Sequence, residues 1–65
     1  MIKTAIRCPN GMLMVFDEKG RQVLEYQRKY DEVKEKILKD APPDTLFGYF
    51  LDYDSELRVV PREEW

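Results

Sequence analysis

The 65-residue sequence predicts an α+β domain: a small antiparallel β-sheet with one helix packed on one face, in the order βββαββ. Three observations carry that expectation. Two glycine-ended turns, Cys8-Pro9-Asn10-Gly11 and Asp17-Glu18-Lys19-Gly20, separate strand-like runs. From Tyr26 to Ala41 the apolar period lengthens to three and four residues, and beyond Pro42-Pro43 an aromatic strand pattern returns.

The first two strands are expected at about 1–8 and 12–17. The turn between them suits a type I turn followed by a left-handed glycine, with Pro9 presetting φ and Gly11 accepting its positive value. A three-residue loop 9–11 pairs Cys8 with Met12, Ile6 with Met14 and Thr4 with Phe16. The other face then pairs Arg7 with Leu13, Ala5 with Val15 and Lys3 with Asp17. A two-residue Asn10-Gly11 turn would instead oppose Arg7 to Met14 and Thr4 to Asp17, mixing polar and apolar residues on both faces.

A second loop, 18–20, leads into a third strand at about 21–26. It pairs Asp17 with Arg21, Val15 with Val23, Met14 with Leu24 and Met12 with Tyr26. Both turns therefore select one apolar face, and this consistency favours the assignment. The helix is expected at about 27–40, with Tyr26, Tyr30, Val33, Ile37 and Ala41 forming its apolar stripe. Glu32–Lys36 and Glu35–Lys39 support its wet side at i, i+4, and the double proline stops it. Strands at about 45–53 and 57–60 complete a single domain over residues 1–65, with Pro61 ending the last.

One helix covers one face. The expected covered face takes Ile2, Ile6, Met12, Met14, Phe16, Leu24, Phe47, Tyr49, Leu51 and Leu57. The opposite face then keeps Ala5, Leu13, Val15 and Val23, with Phe50 and Val60 beside them and Lys3, Arg7, Arg21 and Arg58 around them. An apolar centre with a charged rim has the composition of a protein-interaction surface. The candidate interaction residues are accordingly Lys3, Ala5, Arg7, Leu13, Val15, Arg21, Val23 and Trp65. Trp65, the one tryptophan, suits either an anchor on a partner or a side chain folded back on the sheet.

Composition narrows the chemistry. The chain is 43% hydrophobic, 12% aromatic and 37% charged, a globular profile. At this length a fold hides only about 60% of the surface of the unfolded chain, so a dimer or bound partner would add stability. The net charge of −2 divides into +3 over residues 1–30 and −5 over residues 31–65, an asymmetry that can attract within or between chains.

There is no histidine and one cysteine, which removes Cys–His zinc sites, Cys–His catalysis and internal disulfides. Cys8 is expected buried and inert, because alternation sends Arg7 to the other face. Asp52, Asp54 and Glu56 lack the glycine and terminal bidentate glutamate of a calcium loop. No catalytic, cofactor-binding or metal-binding residue is identified, and no small-molecule ligand is implied. The apolar run Met12–Phe16 is too short to span a membrane, and MIKTAIR does not read as a secretory signal, so a cytoplasmic location is expected.

The expected function is a non-enzymatic interaction module that self-associates or binds a protein through a sheet face or edge. The alternative is nucleic-acid binding by Lys3, Arg7, Arg21 and exposed aromatics. A pI near 5.0 weighs against it.

Overall fold

In the computed structural model, which describes residues 1–52 and 56–65, the chain runs β1 (Ile2–Arg7), β2 (Leu13–Asp17), α1 (Tyr30–Asp40), β3 (Leu46–Tyr49) and β4 (Arg58–Val60). Short 3₁₀ turns occupy Leu24–Tyr26 and Arg62–Glu64. The four strands form one sheet in the order β2-β1-β3-β4. The β1–β2 and β3–β4 pairs are antiparallel, whereas β1 and β3 run parallel. The α+β class holds. The sheet, however, is mixed, and the helix lies in the connection that carries the chain across to the far side of β1.

The β1–β2 hairpin forms in the three-residue register. Thr4, Ala5, Ile6 and Arg7 oppose Phe16, Val15, Met14 and Leu13. The Cys8 amide donates to the Met12 carbonyl at 2.9 Å and the Gly11 amide to the Cys8 carbonyl at 3.0 Å. Gly11 and Gly20 both take positive φ, +85° and +80°, which glycine adopts without the Cβ penalty. The Asn10 side-chain oxygen accepts from the Met12 amide, and Asp17 Oδ1 accepts from the amides of Lys19 and Arg21.

The expected third strand at 21–26 does not form. Pairing with β2 begins in the anticipated register: the Asp17 amide donates to the Arg21 carbonyl, Phe16 bridges Gln22, and the Val23 amide donates to the Val15 carbonyl. The 3₁₀ turn at Leu24–Tyr26 then interrupts it. Met12 bridges Lys29 instead of Tyr26, three residues further along. In the interval the Val15 amide is satisfied by the Gln27 side-chain oxygen at 3.1 Å, and the Leu13 amide by the Arg28 carbonyl. The turn withdraws Tyr26 from the outer sheet face into the core and leaves Leu24 72% exposed. From there the Tyr26 hydroxyl donates to Asp40 at 2.7 Å, tying the turn to the end of the helix.

The helix begins at Tyr30, where its amide donates to the Gly11 carbonyl, and buries Val33 and Ile37 with Ala41 just beyond its end, as the stripe requires. The Arg62 guanidinium closes that end by donating to the carbonyls of Leu38, Ala41 and Pro42. Strand β3 is shorter than the expected 45–53. Its contact with β1 ends where β1 ends, the Phe50 amide donating to the Arg7 carbonyl, and beyond that point Leu51 is exposed. Tyr53 lies outside the described residues.

The larger correction concerns which face the helix covers. Ala5 and Val15 are fully buried and Leu13 is 3% exposed, packed with Ile2, Phe47, Val33, Ile37 and Trp65. Ile6, Met12, Met14 and Phe16, expected inside, alternate onto the uncovered face, and Leu57 also lies outside the core. Ile2 reaches the core with Ala5 because a bulge between Ile2 and Thr4 shifts the alternation. At that bulge the Thr45 hydroxyl donates to the Ile2 carbonyl at 2.7 Å.

Trp65 closes the core and is 3% exposed. Its ring packs tilted on Phe47 at 4.8 Å between centroids and edge-on to Tyr30 at 5.2 Å. Its indole N–H donates to the Gly48 carbonyl at 2.9 Å, and the Tyr30 hydroxyl donates to its main-chain oxygen. Truncation to alanine removes a buried aromatic worth about 3–5 kcal/mol, a large share of the roughly 3–10 kcal/mol available to a chain this short. W65A is therefore expected to unfold at low urea, whereas W65F, which keeps the ring contact, loses only about 1–2 kcal/mol. Urea midpoints followed by circular dichroism check both.

The Tyr26–Asp40 bond gives a pH-dependent contribution. The hydrogen bond to Asp40, followed by burial and the negative charge, pushes the phenol from 10.0 up to about 12. A raised folded-state value favours the neutral phenol, so this stabilisation is complete below pH 10 and is lost as the pH rises through about 12. Ultraviolet titration at tyrosinate wavelengths should show one phenol ionising late. In D40N that phenol should move back toward 10.

Candidate functional site: the uncovered sheet face

Alternation from the buried rows dictates what the other side of the sheet presents. Across the strands, Phe16 neighbours Thr4 and Leu46, and Met14 neighbours Ile6, Gly48 and Val59. None of these side chains is charged. Phe50 and Leu57 extend the surface at one end. Val59 is 61% exposed, Leu46 41% and Met14 37%, while Ile6, Phe16 and Phe50 are half-buried among them.

Gly48 sits within this surface under Leu57. A Cβ there would meet the Arg58 carbonyl at 2.9 Å and the Leu57 side chain at 3.0 Å, so glycine lets β4 and Leu57 pack close. Cys8, Pro9, Met14 and Phe50 line a shallow recess at the same end. Cys8 is half-buried on this side rather than packed beneath the helix. Burial pushes its thiol up from the ordinary value, away from the thiolate form that nucleophilic chemistry requires.

The expected interaction residues fall elsewhere. Ala5, Leu13, Val15 and Trp65 are core, and Val23 is half-buried against it. Lys3 and Arg21 are exposed but each meets an acid: Lys3 Nζ lies 3.0 Å from Asp44, and Arg21 Nε 3.6 Å from Asp17. The Lys3 hydrogen bond and charge lower the Asp44 pKa; the backbone bond from Arg21 is the largest contribution lowering that of Asp17. Arg7 is half-buried, its guanidinium 4.6 Å from the Tyr30 centroid and 5.2 Å from that of Tyr49. The three cations therefore form no common basic groove. Of the aromatics, Tyr26, Phe47 and Trp65 are buried and unavailable for stacking on bases.

Among the described residues no group of three His, Cys, Asp or Glu is placed to hold a metal ion. Asp54, proposed beside Asp52 and Glu56 as a turn carboxylate, lies outside the described residues. Among the described residues no helix is long and apolar enough to cross a membrane. Comparison with protein-family models, curated proteins and solved structures gives no significant match.

Sequence reasoning placed Ile6, Met14 and Phe16 inside because both faces of the hairpin are apolar, and it named neither Leu46 nor Val59 as interaction residues. The available signal was size: Ala5 is the smallest apolar residue of β1, and a crossing helix approaches closest where a strand side chain is small. Lysine substitutions separate the two faces. V15K places a charge in the core and is expected to cost more than about 3 kcal/mol, enough to abolish the cooperative urea transition. M14K should stay folded, within about 1 kcal/mol of the parent by the same measurement.

Proposed function

We propose that this protein is a non-enzymatic interaction module that binds another polypeptide through the uncovered face of its sheet. One observation carries the reading: the rows Phe16–Thr4–Leu46 and Met14–Ile6–Gly48–Val59 cross the sheet without a charged side chain and are left open, while the buried core lies on the opposite face beneath the helix. Contiguous exposed apolar patches of several hundred Å² on small proteins mark places where another molecule sits. Met14 and Phe16 add flexible and aromatic contact area of the kind enriched in interface cores. The protein partner expected from the sequence remains, with a different set of residues touching it.

Nucleic-acid binding has less support. Its cations are paired or stacked in separate places, and the centre of the face with accessible aromatic surface carries no positive charge, Lys29 lying only at its rim opposite Met12. Counterion release, the main source of such affinity, would have little to act on there.

A photo-crosslinking residue in place of Val59, introduced in the cells that produce the protein, checks the proposal. It should yield adducts to polypeptide that are absent when the same residue replaces Glu35 on the exposed side of the helix. The absence of polypeptide adducts at position 59, or equal adducts at both positions, would refute the reading.

A further inference from the structure

Resting on that reading, we infer that the occupant of the uncovered face is a second copy of this chain, packed sheet against sheet about a two-fold axis. The first argument is charge. A partner for Ile6, Met14, Phe16, Leu46 and Val59 must itself bring an apolar and uncharged centre, since a charge buried there would be unpaired. This face has that property, and a two-fold arrangement matches it to itself without requiring complementary charges. Three surface ions are already paired within one chain, Lys3 with Asp44, Arg21 with Asp17 and the amino terminus with Glu18, and Lys29 opposite Met12 stands at the rim of the face rather than in its centre. With a net charge of only −2 per chain, two copies meet little long-range repulsion.

The second argument is the state of the sheet edges, the usual alternative route to self-association. The outer edge of β2 is occupied: Val15 and Leu13 amides are bonded to Gln27 and Arg28, and the Val15 carbonyl to Val23. The outer edge of β4 offers three residues and stops at Pro61, which has no N–H to donate. Edge addition is thereby disfavoured, and the face is left as the site of contact.

The third argument is area. Four strands about 4.8 Å apart, with four or five residues rising about 3.3 Å each, give a face of roughly 19 by 15 Å. That is about 290 Å² of plane per copy, enlarged by side-chain relief and by Phe50 and Leu57 at one end, which puts the contact at or below the lower limit of specific interfaces. Such a contact supports a dimer in the micromolar range rather than a permanent one. The two sheets would lie about 10 Å apart with strands crossing near −30°, as in other face-to-face pairs.

Sedimentation equilibrium from about 1 µM to about 1 mM tests this on the full chain, with L46K and V59K as face variants and E35R as a control on the helix. The parent and E35R should pass from monomer to dimer mass within that range. Each face variant should keep the parent circular dichroism spectrum and weaken association at least about 100-fold, because a dimer carries every lysine twice. A parent that stays monomeric at about 1 mM, or a dimer that neither lysine weakens, overturns the second-copy assignment. The two readings fail separately. A monomeric parent whose position-59 crosslink captures a different polypeptide removes the second copy and keeps the interaction face, whereas absence of any polypeptide adduct removes both.

Discussion

The parallel pairing of β1 with β3 is the constraint on which the rest of the structure depends. It makes β1 an interior strand, bonded to β2 through a hairpin on one side and to β3, which the chain reaches by a long connection, on the other. A parallel neighbour cannot be reached by a tight turn, so the chain must cross over a face of the sheet, and α1 is that crossing. The preference for right-handed crossovers links the side of β1 taken by β3 to the face taken by the helix. Once β3 lies beyond β1, the face holding Ala5 is covered and the face holding Ile6 is not. Ala5, fully buried between Val15 and Phe47 in the cross-strand row, allows the helix to approach.

A chain this short needs each large side chain to close more than one gap. Trp65 meets Phe47 from the sheet and Tyr30 from the helix, and its indole N–H satisfies a carbonyl of β3. Arg62, three residues earlier, donates to three carbonyls at the end of α1 and lies over the Phe47 ring. The last turn of the described chain therefore works as a clasp between helix and sheet. The Tyr26–Asp40 bond at the end of the helix and the Thr45–Ile2 bond join further elements by polar contacts. Among the described residues no buried side-chain nitrogen or oxygen lacks a partner, as a small core requires.

The contrast between the two sheet faces bears directly on function. Both are apolar, yet one is filled by residues converging from helix, strands and Trp65, while the other presents Met14, Leu46 and Val59 to the surroundings. Among the described residues, one helix packs on one side of the sheet and no second helix or sheet lies on the other. A partner that covers this face would bury it without disturbing the packed core. Cys8 falls into the same account: it borders the uncovered face beside Met14 and Phe50 as a small apolar group, with its thiol pushed up by burial.

What the sequence by itself determined was local. Pro9-Asn10-Gly11 and the Asp17–Gly20 turn specified their loops, because glycine at positive φ admits few alternatives, and the first loop set the hairpin register residue by residue. The spacing of Val33, Ile37 and Ala41 specified the buried side of the helix, since only one side of that helix is apolar. Only the tertiary structure decided three things. It placed β3 parallel to β1, turned Ala5 and Val15 inward with Met14 outward, and broke the third strand at Leu24 so that Tyr26 could enter the core. Alternation assigns residues to two faces but attaches no label to either when both are apolar. The label came from the crossover and from the volume available beneath the helix, which Ala5 leaves open and Ile6 would fill.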